Sequence, residues 1–240
     1  MLKKRSLSRQ EDHWIPLSDL MTGLMMIFML VAIVFMIQLK RDEARMIESQ
    51  ERIRRIANLY VDLRAQLYSD LAREFKDDFK RWHASLRPDL TVRFEEPSVL
   101  FETGQSIVKP EFGTILASFF PRYVKILSSP KYKDAIEELR IEGHTSSIWG
   151  SDSPQQAYYD NMRLSQDRTR SVLKYVFSLL GVQRDLSWLI PITTANGLSS
   201  SHRLFLPDGT ENYTGSQRVE FRVRTNAEER LAQILKEISR

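Results

Sequence analysis

From Leu20 to Leu39 the chain carries no charged residue. Twenty helical residues at about 1.5 Å each span roughly 30 Å, the thickness of a bilayer's hydrocarbon core. A helix buried in a water-soluble domain is rarely apolar on every face. The run also exceeds the apolar region of a signal peptide, and no A-x-A-like cleavage site follows in "MIQLKRDEARM". It therefore predicts a permanent transmembrane helix over residues 14–39, behind a polar tail of residues 1–13. Charge does not orient that helix. Lys3, Lys4, Arg5 and Arg9 precede it, whereas Lys40, Arg41, Arg45, Arg52, Arg54 and Arg55 follow it, so positive-inside counting leaves both topologies open.

One carboxylate, Asp19, sits at the edge of the run, five residues after Trp14. Trp is an interfacial anchor type, so Asp19 lies about 7–8 Å deeper along the helix. Holding a carboxylate inside the apolar zone costs on the order of 2.5–3.5 kcal/mol on insertion scales. Two readings follow. Asp19 is an N-terminal residue stabilised by the helix dipole, with the membrane starting at Leu20. Or it is a proton carrier that loads on one side and unloads on the other as its hydration or its neighbours change. Ser18, and Thr22 one turn on, could hydrogen-bond the carboxylate or a passing hydrated ion. Neither reading involves carbonyl chemistry, and no enzymatic activity is expected.

Between Lys40 and about Trp82 there is no Pro or Gly. Met46, Ile53, Tyr60 and Leu67 recur seven apart, with Ile56 and Leu63 three further on; Ser49 and Asp70 interrupt the d positions. Leu71, Phe75, Phe79 and Trp82 continue the stripe at spacings of three to four. The expectation is a long amphipathic helix over residues 40–88, reaching on the order of 60 Å, paired with a second copy. Packing of the helix on its own domain is the competing reading.

Residues 89–226 read as one α+β domain. "TVRFEE" and "SVLFETG" look like paired strands around Pro97, and "KPEFGTILASFF" starts a helix with Pro110 in its first turn. "EELRIEGH" is a strand. "YYDNMRLSQDRTRSVLKYVFSLLG" is a helix with Gly181 as its expected C-cap. "WLIPITTANG" and "SQRVEFRVRTN" are strands, the last with Val219, Phe221 and Val223 inward and Arg218, Glu220, Arg222 and Arg224 outward. A short helix is expected at 227–240. With 35 Lys and Arg against 31 Asp and Glu, and no basic cluster interleaved with aromatic platforms, nucleic-acid binding is not expected. The absence of cysteine removes disulfides and thiolate metal sites. With no Cys, and no His or carboxylate at zinc spacing around it, His144 reads as a packed residue closing its strand, and no metal or cofactor is expected.

Two stretches carry a resemblance. "WIPLSDLMTGLMMIFMLV" resembles the membrane helix of MotB-type stator subunits, through Trp14, Ser18, Asp19, Met21, Thr22, Met25 and Met26. "VLFETGQSIVKPEF", "IEGHTSS", "NMRLSQDRTRSVLKYV" and "QRVEFRV" are similar to an OmpA-like peptidoglycan-binding domain of β-α-β-α-β-β type. The long direct helix and the divergent loop after His144 resemble the stator B subunits of Zorya anti-phage defence systems more than flagellar MotB. A flagellar stator subunit, a passive membrane-to-wall tether and a Tol/Exb-type transducer are the alternatives.

The resemblance implies a protein of the bacterial inner membrane, with a cytoplasmic N-terminus and a periplasmic C-terminal domain. It also implies a MotA/ZorA-like multi-pass partner around a dimer of this chain. Protons, or Na⁺, would pass by way of Asp19, Ser18 and Thr22. In the C-terminal domain it implies a site for the diaminopimelate of peptidoglycan. Arg168 would take the carboxylate bidentately, with Asn161 and Leu164 on the same helix face. The family's ammonium-binding Asp after His-Thr is Ser146 here, a neutral group, which leaves Asp152 or Asp160 to supply the charge. Arg218 is read as lining the same groove or as a surface residue of an edge strand.

Overall fold

The computed structural model of the protein describes residues 14–150 and 153–226. The tail at 1–13, Asp152 and the helix expected at 227–240 lie outside the described residues. The chain divides into two compact units, residues 1–55 and 56–240. Helix α1 (Trp14–Glu74) starts in the first. Among the described residues, its segment Ser18–Arg55 is the one helix long and apolar enough to cross a membrane. Leu20, Met25 and Leu30 lie on different faces and are all exposed, as side chains meant for lipid or for a partner helix must be. Met46 and Ile47, further along, are exposed as well.

Within the second unit the same helix changes character. Leu67 and Leu71 are fully buried and Leu63 packs beside them, so from Leu63 the apolar stripe belongs to this unit's own core. The chain bends at Phe75 into α2 (Lys76–Arg81). Arg122, on a later helix, clamps the bend: its Nε meets Glu74 Oε1 at 2.7 Å and its Nη1 meets Asp78 Oδ2 at 2.7 Å. The guanidinium also lies 4.7 Å over the Phe75 ring.

Five strands follow: β1 (Ala84–Leu86), β2 (Thr91–Phe94), β3 (Ile136–His144), β4 (Thr193–Gly197) and β5 (Arg218–Thr225). They form one sheet in the order β1-β2-β5-β3-β4, antiparallel except for β3 with β4. Helices α4 (Pro110–Leu127) and α5 (Pro154–Ser178) are the crossovers, so β2-α4-β3-α5-β4-β5 is the expected β-α-β-α-β-β order, with β1 added at one edge. Val219, Phe221 and Val223 point to the helices, where Phe221 packs against Phe94, Phe119, Phe120 and Tyr123.

Four local expectations are corrected. "SVLFETG" does not pair with β2. Pro97, with its fixed φ and missing N–H, opens a one-turn helix, α3 (Pro97–Leu100), and Phe101 then makes an isolated bridge to Val108. "WLIPI" is helical: Leu186, Leu189 and Ile192 recur every third residue and turn one face of α6 (Leu186–Ile192) inward. Helix α5 ends at Ser178, capped by Leu179, and Gly181 lies in the 3-10 turn Leu180–Asp185. There a Cβ would come within 3.0 Å of Pro121, so close approach rather than capping explains the glycine. Finally, Arg222 and Arg224 face solvent, but Arg218 and Glu220 are buried. Strand β5 is central, and the segment after β4 folds over this end of its polar face, where Arg218 Nη1 bonds His202 O and Ser216 O.

Candidate functional site

Helix α5 lies unusually close to the sheet. Gly143 and Gly197 are paired across β3 and β4. A Cβ on Gly197 would sit 2.2 Å from the Gln166 nitrogen, and one on Gly143 would sit 2.7 Å from Thr169 Cγ2. Two adjacent glycines thus let the backbone at Ser165 and Gln166 rest on the strands. Ser165 secures the contact by accepting from the Ser199 N–H at 3.1 Å, and the Ser199 carbonyl in turn accepts from Thr145 N–H at 2.9 Å. This places Arg168, one turn along, beside the end of β3.

Arg168 is the centre of the site. It is buried, and among the described residues no carboxylate lies within ion-pair distance of it. Its Nε donates to Gln105 O at 2.9 Å and its Nη2 to Glu102 O at 3.3 Å, and the guanidinium lies 4.8 Å over the Phe101 ring. Burial with no compensating anion pushes the group down to about 10. A buried cation held by carbonyls and a ring face is set up to receive an anion from outside.

Two cavities meet at Arg168. One, of about 390 Å³, is lined by Glu96, Phe101, Glu102, Lys109, His144 and Arg218 among others. The other, of about 360 Å³, is lined by Thr145, Ser146, Ile148, Trp149, Asn161 and Leu164 among others. Thr103 and Gln217 border both. Within the first, Lys109 Nζ pairs with Glu102 Oε1 at 2.7 Å, so charges of both signs stand near the buried guanidinium. Within the second, the Thr145 hydroxyl is buried with no hydrogen-bond partner among the described residues, a polar contact open to a bound group.

The expected residues are sorted by this geometry. Arg168, Asn161, Leu164 and Ser146 come together, Asn161 by donating to Ile148 O at 3.3 Å and so holding the 146–150 loop. Arg218 lines the first cavity, but its guanidinium is spent on Glu220, at 2.6 Å from Nε, and on the two carbonyls already named. Asp160 borders neither cavity and meets Gln156 at 3.2 Å and Arg163 at 3.6 Å on α5. Among the described residues, the carboxylates that reach the groove are Glu96 and Glu102. Sequence reading missed Phe101, Glu102, Lys109 and Trp149. The first two lay in a stretch read as strand, and no local pattern ties the others to Arg168.

In the first unit, Ser18 and Thr22 are joined: the Thr22 hydroxyl donates to Ser18 O at 2.7 Å. That back-bond fixes the hydroxyl beside Asp19's turn of helix.

Behind the groove, β3 and β5 bring Glu142, His144 and Glu220 together, all buried, with donor atoms within 4.8 Å of one another. Spacing along the chain gave no sign of Glu220 at this place.

No family model matches the chain. The Zorya protein ZorB of Escherichia coli strain ATCC 8739 is 40% identical over 231 residues, 95% of this chain and 94% of that protein. A MotB-like protein from Desulfovibrio vulgaris has a similar fold, with TM-score 0.52 and 22% identity over 70% of this chain and 98% of that one. The cell wall anchor of the T6SS from Pseudomonas aeruginosa matches at TM-score 0.45 and 20% identity, over 65% and 96% of the two chains.

Proposed function

This chain belongs to the family of the Zorya protein ZorB, and on that premise we propose that it is the B subunit of an ion-driven inner-membrane motor acting in anti-phage defence. Two copies of the helix carrying Asp19 stand inside a ring of MotA/ZorA-like multi-pass subunits. The N-terminus is cytoplasmic and the C-terminal domain periplasmic. Asp19 accepts a proton from one side and gives it up to the other, and each change of charge alters its attraction to the ring, which steps. The hydroxyls of Ser18 and Thr22 lie within a turn of Asp19 to hydrate that exchange.

The reaction torque needs a fixed support, and the groove at Arg168 supplies it by binding peptidoglycan. The diaminopimelate end of the peptide stem presents a carboxylate and an ammonium side by side. Arg168 receives the carboxylate as a charge-assisted, bidentate pair, strengthened by exclusion of water. Glu102 or Glu96 takes the ammonium, in place of the acid absent at Ser146. The observation that carries the reading is the kinship to ZorB over 95% of the chain, which joins the apolar helix and the groove domain in one relative.

Two substitutions test the two ends. Asp19→Asn is expected to abolish ion flux and phage protection while co-purification with the multi-pass partner persists; retained flux sinks the motor reading. Arg168→Gln is expected to weaken co-sedimentation with purified cell-wall sacculi by at least about tenfold, the loss of one charged bidentate contact. Undiminished sedimentation of a folded Arg168→Gln protein sinks the anchor reading.

A further inference from the structure

The face of the sheet turned away from α4 and α5 carries a charge arrangement, bordering the first cavity at His144 and Arg218, to which the proposed function gives no role. Glu142 and Glu220 are directly opposite each other in the β3–β5 register, and His144 lies two residues beyond Glu142 on the same face. The side chains of all three are at most 8% exposed. Two buried carboxylates facing each other across neighbouring strands repel, so something positive must lie between them.

The arginines account for half of Glu220. Arg93 Nε reaches its Oε1 at 2.7 Å and Arg218 Nε at 2.6 Å, which leaves Oε2 for another partner. That oxygen lies 3.5 Å from His144 Nε2, and Glu142 Oε2 lies 3.8 Å from the same nitrogen. Neither distance is a hydrogen bond, and among the described residues both ring nitrogens of the buried His144 are without a hydrogen-bond partner. A single N–H can point along only one of the two lines.

A metal ion can satisfy all three atoms at once. His144 Nε2 lies 3.5 Å and 3.8 Å from the two carboxylate oxygens, and all donors lie within 4.8 Å of one another, so a point equidistant from the three is at most about 2.4 Å from each. Zinc bonds to imidazole nitrogen and carboxylate oxygen run about 2.0–2.2 Å, so rotations of a few tenths of an ångström close the site. One imidazole with two carboxylates is a donor set for zinc-like ions rather than for calcium or magnesium, which take oxygen alone. Counted locally, Glu142, Glu220 and Glu95 face Arg93 and Arg218, leaving one negative charge over. Arg93 and Arg218 would hold Glu220 in place as its outer support. We propose that Glu142, His144 and Glu220 form a buried three-ligand site for a divalent transition-metal ion of the zinc type, with the fourth position left to a water or another small ligand, tying β3 to β5 beneath the groove. The proposal does not depend on what the groove binds.

The test uses the full-length protein in detergent, stripped with EDTA, desalted and titrated with Zn²⁺ by calorimetry, with metal content read by mass spectrometry. Wild type is expected to take up one zinc per chain and to melt at a higher temperature when loaded. Glu142→Gln keeps the shape and removes one ligand charge. It is expected to bind at least about tenfold more weakly and to lose the melting shift, with folding checked by circular dichroism. His202→Ala, beside the cluster at a ring separation of 6.0 Å, is expected to keep the zinc. The proposal is overturned if wild type takes up no stoichiometric zinc, or if folded Glu142→Gln binds as well as wild type. It is equally overturned if melting answers to pH near neutrality and not to zinc, which would put a proton at the centre. Should Glu142→Gln fail to fold, the wild-type stoichiometry and melting shift decide.

Discussion

Replacing Gly197 by alanine adds one methyl group at the point where α5 touches the sheet. The new Cβ would lie 2.2 Å from the Gln166 nitrogen, 2.6 Å from the Ser165 carbonyl carbon and 2.7 Å from Gln166 Cα. All three are backbone atoms of a helix, so no side chain can rotate out of the way; the helix must move by about 1 Å to restore van der Waals separation. Overpacking that side chains can absorb costs about 1–3 kcal/mol. Here the expected cost is about 3 kcal/mol or more, a fall in melting temperature of roughly 6–12 °C for a unit of this size. The same displacement draws Arg168 away from the carbonyls of Glu102 and Gln105, so sacculus binding is expected to fall with it. Thermal melts of the full-length protein in detergent, followed by circular dichroism, measure the first effect, and co-sedimentation the second. Gly150→Ala, where a Cβ meets nothing within 4 Å, is the control for the thermal melts. A Gly197→Ala protein that melts within about 1 °C of wild type refutes the claim that the paired glycines set the position of the site.

Along α1, Leu67→Ala is expected to cost about 2–5 kcal/mol, because Leu67 is 1% exposed in the second unit's core. Met46→Ala, on an exposed residue of the same stripe, is expected to change melting little; equal effects of the two would show that α1 does not enter the core where the structure has it. Asp78→Asn removes the anion that Arg122 and Arg81 share, with an expected loss of about 1.5–3 kcal/mol at neutral pH. Burial works against ionisation at Asp78, but the bonds from Arg122 and Arg81 prevail and hold its carboxyl below the usual range. The sign follows: the contribution is complete above the unfolded pKa, near 4, and is lost as pH falls through the lower folded value. Wild type should therefore lose more stability than Asp78→Asn between pH 5 and pH 2; parallel curves would contradict this.

Much of the domain was legible because its signals are local. β2, β3 and β5 follow from runs of alternating or continuous apolar residues, α4 from an apolar stripe behind Pro110, and the body of α5 from its own apolar stripe, although α5 starts at Pro154, four residues before the expected Tyr158. The misread pieces are those where a local signal admits two answers. "SVLFETG" has strand-forming residues, but Pro97 at its head favours a helical turn, and the burial of Leu100 and Phe101 decides for the turn. Arg218 and Glu220 alternate with apolar residues as exposed positions would; only the segment folding over β5 makes them buried.

What the sequence determined by itself is what depends on neighbours along the chain. A charge-free run long enough to cross a bilayer, an acid at its edge, and the helix bearing Arg168 can all be read from spacing, because hydrophobic length and helical period are properties of consecutive residues. The tertiary structure alone decided which charges are paired. Arg168 with no carboxylate beside it among the described residues, Arg218 bonded to Glu220 and two carbonyls, and His144 between Glu142 and Glu220 depend on strand order and on how closely α5 approaches the sheet. The physical reason is that desolvation and Coulomb energy act through space, over a few ångströms, between residues that can stand 60 or 70 positions apart in the chain.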